Sequence, residues 1–297
     1  MDERFGVQAI AFHKTQGSTA PQEKLMHGHG SAFDDGVIPS DLWKVDVRSA
    51  IEHSGFEAWF QPIVSTSNGR IYTLEALSRW SHPVHGIVTP GHFLSSIERM
   101  GLIDAFTDHM MTHAMDALSL MRAQGHSDIC VSVNAPWNWL ASRNNVQSMA
   151  EAMSKRGIPT RCLVFEAVEH TPPSDLAATV LNATTIKDLG FMLAMDDFGS
   201  GFNSLELVRH IPFDAIKIDR SLVHRSSEDH RAETIVCALV DLIHGVGSTV
   251  TLEGIERASE FDMAQRIGAD AAQGYLIGRP SPLGHVMERI VGKPPGA

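Results

Sequence analysis

Short runs of apolar, β-favouring residues recur along the chain, with longer stretches between them whose apolar positions repeat at helical spacing. The runs occupy residues 58–63, 71–77, 129–133, 163–167, 192–195, 215–218 and 249–252. The helical spacing is clearest over residues 107–122, 174–189, 232–246 and 258–267. Period-2 or fully apolar runs predict strands, and i, i+3, i+4 patterns predict amphipathic helices. Strand–helix units repeated in this way over roughly 250 residues predict an α/β fold, a (β/α)8 barrel in preference to a doubly wound sheet. Residues 1–40 carry no sustained apolar period and are rich in Gly, His and Ser, which predicts a flexible arm ahead of a folded domain at 41–297.

Composition narrows the function more than the fold. With 43% hydrophobic residues in 297, the chain has ample material for a core. A formal charge of -11 disfavours the broad basic groove that long nucleic acid requires. It leaves room for a small anion held through divalent cations, which acidic side chains would bind. No apolar stretch approaches the roughly 18 residues of a membrane helix, and Met1-Asp2-Glu3-Arg4 does not open a signal peptide. The expected setting is the cytoplasm, away from membrane. Cys130, Cys162 and Cys237 read as buried, reduced thiols.

Polar residues sit where the apolar runs end. Glu75 follows Tyr72-Thr73-Leu74, Asn134 follows Val131-Ser132-Val133, and Glu166 follows Leu163-Val164-Phe165. Asp196 and Asp197 follow Leu193-Ala194-Met195, Lys217 lies between Ile216 and Ile218, Glu253 follows Val250-Thr251-Leu252, and Gln273 precedes Gly274-Tyr275. One acid at a strand end is ordinarily a helix cap. Seven such positions in a barrel converge on one mouth, and a set of carboxylates, an amide and an amine suits Mg²⁺ or Mn²⁺ better than zinc. The adjacent Asp196-Asp197 pair is costly unless a cation neutralises it.

The same residues carry a family resemblance. Glu75-Ala76-Leu77-Ser78-Arg79-Trp80, preceded by Gln61-Pro62-Ile63-Val64, resembles the signature of the EAL-domain cyclic di-GMP phosphodiesterases. Val131-Ser132-Val133-Asn134, Phe165-Glu166-Ala167-Val168-Glu169, Asp196-Asp197-Phe198-Gly199-Ser200-Gly201, Lys217-Ile218-Asp219, Glu253-Gly254-Ile255-Glu256 and Gln273-Gly274-Tyr275 are similar to its later motifs, in order. The resemblance implies a TIM-like barrel with an irregular first strand and hydrolysis of cyclic di-GMP to linear 5′-pGpG. It implies one Mg²⁺ or Mn²⁺ held by Glu75, Asn134, Glu166 and Asp196, and a second shared by Asp196 with Asp197 and Glu253. Lys217, Glu253 and Gln273 take catalytic roles around the attacking water, with Ca²⁺ inhibitory. Gln61, Leu77 and Arg79 fall to substrate binding, and Glu169 to anchoring the loop after the aspartate pair.

Two residues depart from the family pattern. Val168 stands where a threonine is usual, and Leu252, near the mouth, where an alanine is usual; neither removes a ligand. The resemblance also implies a homodimer. The alternatives are a non-catalytic cyclic di-GMP receptor and a protein-interaction module acting on a partner through an outer helix. His109 and His113, four apart on a predicted helix, lack the glutamate of a zincin motif and read as packed or solvated side chains. Met110, Met111, Met115 and Met121 read as helix packing, and residues 225–231 as a solvated, mixed-charge connection.

Overall fold

The computed structural model describes residues 43–53, 55–168, 175–200 and 204–291. The expected arm at 1–40 and the expected anchor Glu169 lie outside them. Among the described residues there are nine strands: β1 Phe56–Ser65, β2 Ile71–His82, β3 Gly86–Val88, β4 Cys130–Ala135, β5 Leu163–Val168, β6 Met192–Phe198, β7 Ala215–Ile218, β8 Thr249–Leu252 and β9 Ala271–Gln273. The helices are α1 Trp43–Glu52, α2 Pro90–Arg99, α3 Ile103–Ala123, α4 Trp137–Leu140, α5 Arg143–Lys155, α6 Leu176–Asp188, α7 Ser204–His210, α8 Arg220–Val223, α9 His230–Gly245, α10 Ala258–Arg266 and α11 Leu283–Val291.

Strands β2 and β4 to β9 pair in parallel in chain order, and β1 closes the ring by pairing antiparallel with both β2 and β9. The result is a closed eight-stranded barrel, with β3 a short antiparallel addition to the far end of β2. The irregular first strand follows from local chain length. Only the turn at residues 66–70 separates β1 from β2, too short for the crossover that parallel neighbours need. The chain therefore makes a hairpin before the β/α rhythm begins.

Alternation along each strand divides the side chains between two environments. Leu74, Val131, Val133, Leu163, Phe165, Leu193, Met195, Ile216, Ile218, Val250 and Leu252 are fully or almost fully buried and face the helices. Met111, Ala114, Leu118 and Met121 of α3 meet that layer from outside, so the methionines do pack the core. Burying each large apolar side chain contributes about 1.5–3 kcal/mol, and this outer layer supplies the stability that a polar interior does not. Leu252 shares its register with Ile218 and Ala272, so its bulk enters this layer and not the mouth, where its place near Glu253 suggested it. Cys162 is buried while Cys130 and Cys237 are half-buried, and all three thiols are free. Burial pushes the Cys130 thiol up to about 11, which keeps it unreactive.

Residues 225–231 are more ordered than their composition suggested. Arg225 takes a left-handed conformation, Ser226–Glu228 form one 3-10 turn, and the Ser226 side chain is fully buried, donating to Val223 O. The buried Glu260 carboxylate accepts from the backbone N–H groups of Arg225, Glu256 and Arg257, tying this turn to the start of α10. Among the described residues, no helix is long and apolar enough to cross a membrane.

One close backbone approach sets the loops above the barrel. Ile255 N–H donates to Gln273 O at 3.0 Å and Leu276 N–H donates to Ile255 O at 3.0 Å. A Cβ on Gly274 would overlap the backbone N, C and O of Ile255, and backbone atoms cannot rotate aside as a side-chain end can. Gly274→Ala is therefore expected to cost about 1–3 kcal/mol, read as a lower denaturant midpoint. An unchanged midpoint would show that this approach yields freely.

Candidate active site

The seven strand-borne polar residues share the interior face because their registers match. Glu75 pairs with Ser132, Asn134 with Glu166, Glu166 with Ala194, and Lys217 with Thr251, all in parallel ladders. Residues so paired point to the same side of a sheet. Glu75 is not at a strand end as its sequence context suggested: β2 continues to His82 because β1 keeps pairing with it. Its parallel pairing with β4 nonetheless stops at Ala76, so Glu75 stands at the rim of the parallel part of the barrel.

Lys217 is the centre of the site. Only 2% exposed, its Nζ lies 3.2 Å from Glu75 Oε2, 3.1 Å from Glu166 Oε2, 2.8 Å from Asp196 Oδ1 and 2.8 Å from Glu253 Oε1. An ammonium has three hydrogens, so four carboxylates cannot each receive one. The contacts to Glu75 and Glu166 are aligned as hydrogen bonds. Asp196 Oδ1, although near the charge, is buried without a hydrogen-bond partner. Asn134 Nδ2 donates to Glu75 Oε1 at 3.2 Å, and Gln273 Nε2 donates to Glu75 Oε2 and, at 3.3 Å, to Gln61 Oε1. Gln61 Nε2 in turn donates to Gly278 O at 3.0 Å.

Asp196 and Asp197 reach the site together through a break in the strand. In a regular strand, neighbours point to opposite faces. Here the β6–β7 register shifts between Met195 and Phe198, and Asp197 has φ 56°. A left-handed residue without the freedom of glycine costs roughly 1–2 kcal/mol, and such strain gathers at functional positions. It brings carboxylate oxygens of Asp196, Asp197 and Glu253 within 4.8 Å of one another, beside a second such group formed by Glu75, Glu166 and Asp196. Asp196 belongs to both.

The charges do not balance in the bare protein. Burial pushes Glu166 up to about 8, with the Glu75 and Asp196 carboxylates adding to it and the Lys217 ammonium opposing it. Burial, Asp196 and Glu75 likewise hold Glu253 well above the usual carboxylate range, against Lys217. Burial also works against ionisation of Glu75, but Lys217 and the hydrogen bonds from Gln273, Lys217 and Asn134 bring it below the ordinary value. Lys217 is itself disfavoured by burial, yet Asp196, Glu166, Glu253 and Glu75 raise it well above the lysine range. A charged lysine thus faces two carboxyls, Glu166 and Glu253, whose affinity for protons is raised, and divalent cations would compete with those protons. The oxygen-rich donor set and the orphaned Asp196 Oδ1 fit such cations.

Gln61, Leu77 and Arg79, expected to contact substrate, share the face of Glu75 farther out along β1 and β2. Gln61 lies opposite Glu75, Trp59 opposite Leu77, and Glu57 opposite Arg79. The Arg79 guanidinium donates to Ser78 O at 2.7 Å and lies 5.5 Å from the Trp59 ring centroid. Trp59 Nε1 donates to Glu57 Oε1 at 3.2 Å. Glu57 and Trp59 were missed in the sequence, although their i, i+2, i+4 spacing with Gln61 carried the signal. Arg279, which no quoted motif includes, lies over Tyr275 of the Gln273-Gly274-Tyr275 motif: its guanidinium is 4.0 Å from the half-exposed tyrosine ring, a contact between loop residues that no periodicity reveals.

With this geometry in place, comparison with known proteins is specific. The EAL domain model matches residues 44–280. The bifunctional diguanylate cyclase/cyclic di-GMP phosphodiesterase MucR of Pseudomonas aeruginosa is 31% identical over 245 residues, covering 82% of this chain and 36% of that protein. The cyclic di-GMP phosphodiesterase RocR of the same organism is 30% identical over 247 residues, covering 83% and 63%. The chain therefore spans less than two thirds of the length of these relatives. Among solved structures, the PaMucR phosphodiesterase in its c-di-GMP complex superposes with a TM-score of 0.76 at 31% identity, covering 82% of this chain and 98% of that one. The EAL enzyme Bd1971 in its cAMP and cyclic-di-GMP bound form gives 0.79 at 27% identity, covering 84% and 69%. The ordered motifs, the barrel closed by an antiparallel first strand and the match over residues 44–280 place this chain in the EAL domain family.

Proposed function

We propose that this domain hydrolyses cyclic di-GMP to linear 5′-pGpG in a reaction that depends on Mg²⁺ or Mn²⁺. The observation that carries the reading is the buried Lys217 ammonium ringed by Glu75, Glu166, Asp196 and Glu253, four carboxylates for one ammonium, with Asp196 Oδ1 near the charge but outside hydrogen-bond alignment. A receptor needs to recognise its ligand but has no use for so many uncompensated buried carboxylates.

Glu75, Asn134, Glu166 and Asp196 would hold one cation, and Asp196, Asp197 and Glu253 the second. Bound there, the cations supply Lewis acidity that lowers the pKa of water and neutralises phosphate oxygens. The chain's own groups do the positioning. Lys217, fixed by its carboxylates, places a positive charge where negative charge develops in the transition state. Gln273, held by Gln61 and Glu75, presents its amide beside the same centre. Arg79 offers a guanidinium fork to a phosphate of the substrate. The decisive experiment is incubation of the purified protein with cyclic di-GMP and either cation, with chromatography of the products.

Glu75→Gln keeps the size and removes the charge. Turnover is expected to fall by about 100-fold or more, while the metal-free melting temperature holds or falls slightly, because Lys217, Asn134 and Gln273 lose a charged acceptor. Near-normal hydrolysis would remove Glu75 from the site. Lys217→Ala is expected to lower kcat far more than substrate affinity, because its charge acts on the transition state; a loss confined to affinity would assign it to substrate binding instead. Ca²⁺ is expected to support binding without turnover, since its longer, looser oxygen bonds misplace the reacting groups. Calorimetry and product chromatography on one sample test this, and robust hydrolysis in Ca²⁺ alone would count against the cation requirement.

A further inference from the structure

His109 and His113 take no part in the site above, yet their geometry is unusual. One turn apart on α3, they share a helix face and direct both Nε2 atoms at the carbonyl oxygen of Phe56, at 2.9 Å and 3.2 Å. The two nitrogens are 3.0 Å apart, with the rings 76° from coplanar. Three lone-pair atoms thus form a nearly equilateral triangle. Two Nε2–H groups this close would crowd each other, so at least one ring turns a bare lone pair into the triangle, and a single Nε2–H can be shared between that nitrogen and Phe56 O.

We propose that His109 Nε2, His113 Nε2 and Phe56 O form a binding site for Cu²⁺ or Ni²⁺, late first-row ions that take ligands at right angles, separate from the carboxylate centre. Ligand atoms at right angles, each about 2.1 Å from one ion, are about 3.0 Å apart, which is the spacing these three atoms already have. With both rings as Nδ1–H tautomers, a cation serves all three lone pairs at once. Imidazole selects these ions over Mg²⁺ and Ca²⁺. Both histidines are half-exposed, so water can complete the coordination. Burial and the neighbouring His109 hold His113 below the ordinary histidine range, while Glu57 and Asp116 contribute a negative field. The absent zincin glutamate excludes that catalytic chemistry and leaves ion binding untouched. Such an ion would clip α3 to the first residue of β1.

Cu²⁺ titrated into the full chain to saturation, followed by electron paramagnetic resonance, tests the proposal. The expected result is a bound equivalent whose hyperfine pattern shows two imidazole nitrogens, lost in both His109→Gln and His113→Gln. The glutamine amide can still donate to Phe56 O, and circular dichroism checks that the variants fold. The same number of bound equivalents with the same spectra in all three proteins would overturn the site. A second measurement needs no variant: substoichiometric Cu²⁺ should broaden the amide resonances of Phe56 and of residues 109–113 in the unmodified protein. Broadening confined to other segments would overturn it equally.

Discussion

A single buried ammonium among carboxylates organises this protein. Lys217 is almost completely enclosed, where an unpaired charge would be prohibitively costly, and it survives because acidic groups from β2, β5, β6 and the loop after β8 surround it. Those carboxylates could not be so close without it. Each side of the arrangement depends on the other, and only a closed barrel brings strands so distant in sequence to one point. The barrel interior is therefore a poor source of stability. The apolar layer between strands and helices provides that stability and lets the interior remain charged.

The imbalance inside the ring has chemical meaning. One ammonium cannot compensate Glu75, Glu166, Asp196 and Glu253, and burial, reinforced by the neighbouring carboxylates, raises the proton affinities of Glu166 and Glu253. A site in this condition is prepared to exchange protons for divalent cations. The strained backbone at Asp197 belongs to the same design. It interrupts the β6–β7 ladder and sacrifices regular pairing to turn two consecutive carboxylates toward one place. The Gly274 approach to Ile255 then holds the Glu253 and Gln273 loops at a fixed separation.

The histidine pair on α3 and the carboxylate centre lie in different parts of this fold. The carboxylates gather at the barrel mouth, an oxygen-rich environment suited to hard cations. The His109–His113 pair sits on the outer helix layer against the start of β1, in nitrogen-rich surroundings suited to softer ions. The difference in donor type gives the two places separate preferences.

The sequence by itself determined the β/α rhythm, the residues of β7 and β8, and the identity of the interior polar set. Periodicity and the chemistry of Glu75, Asn134, Glu166, Asp196, Lys217, Glu253 and Gln273 are local properties and can be read locally. It did not disclose β9, whose Ala271-Ala272-Gln273 lacks β-branched residues and forms a strand only because β1 and β8 flank it. It misplaced Leu252 toward the mouth, because the face a residue occupies depends on ladder register; it read residues 225–231 as solvated, as most of them are, without disclosing that Ser226 is buried or that Glu260 ties the turn to α10. The bulge that pairs Asp196 with Asp197, the sharing of Lys217 among four carboxylates and the convergence of His109 and His113 on Phe56 O were decided only in three dimensions. Each joins groups distant in sequence or reverses the side to which a strand residue points, and no local pattern records either event.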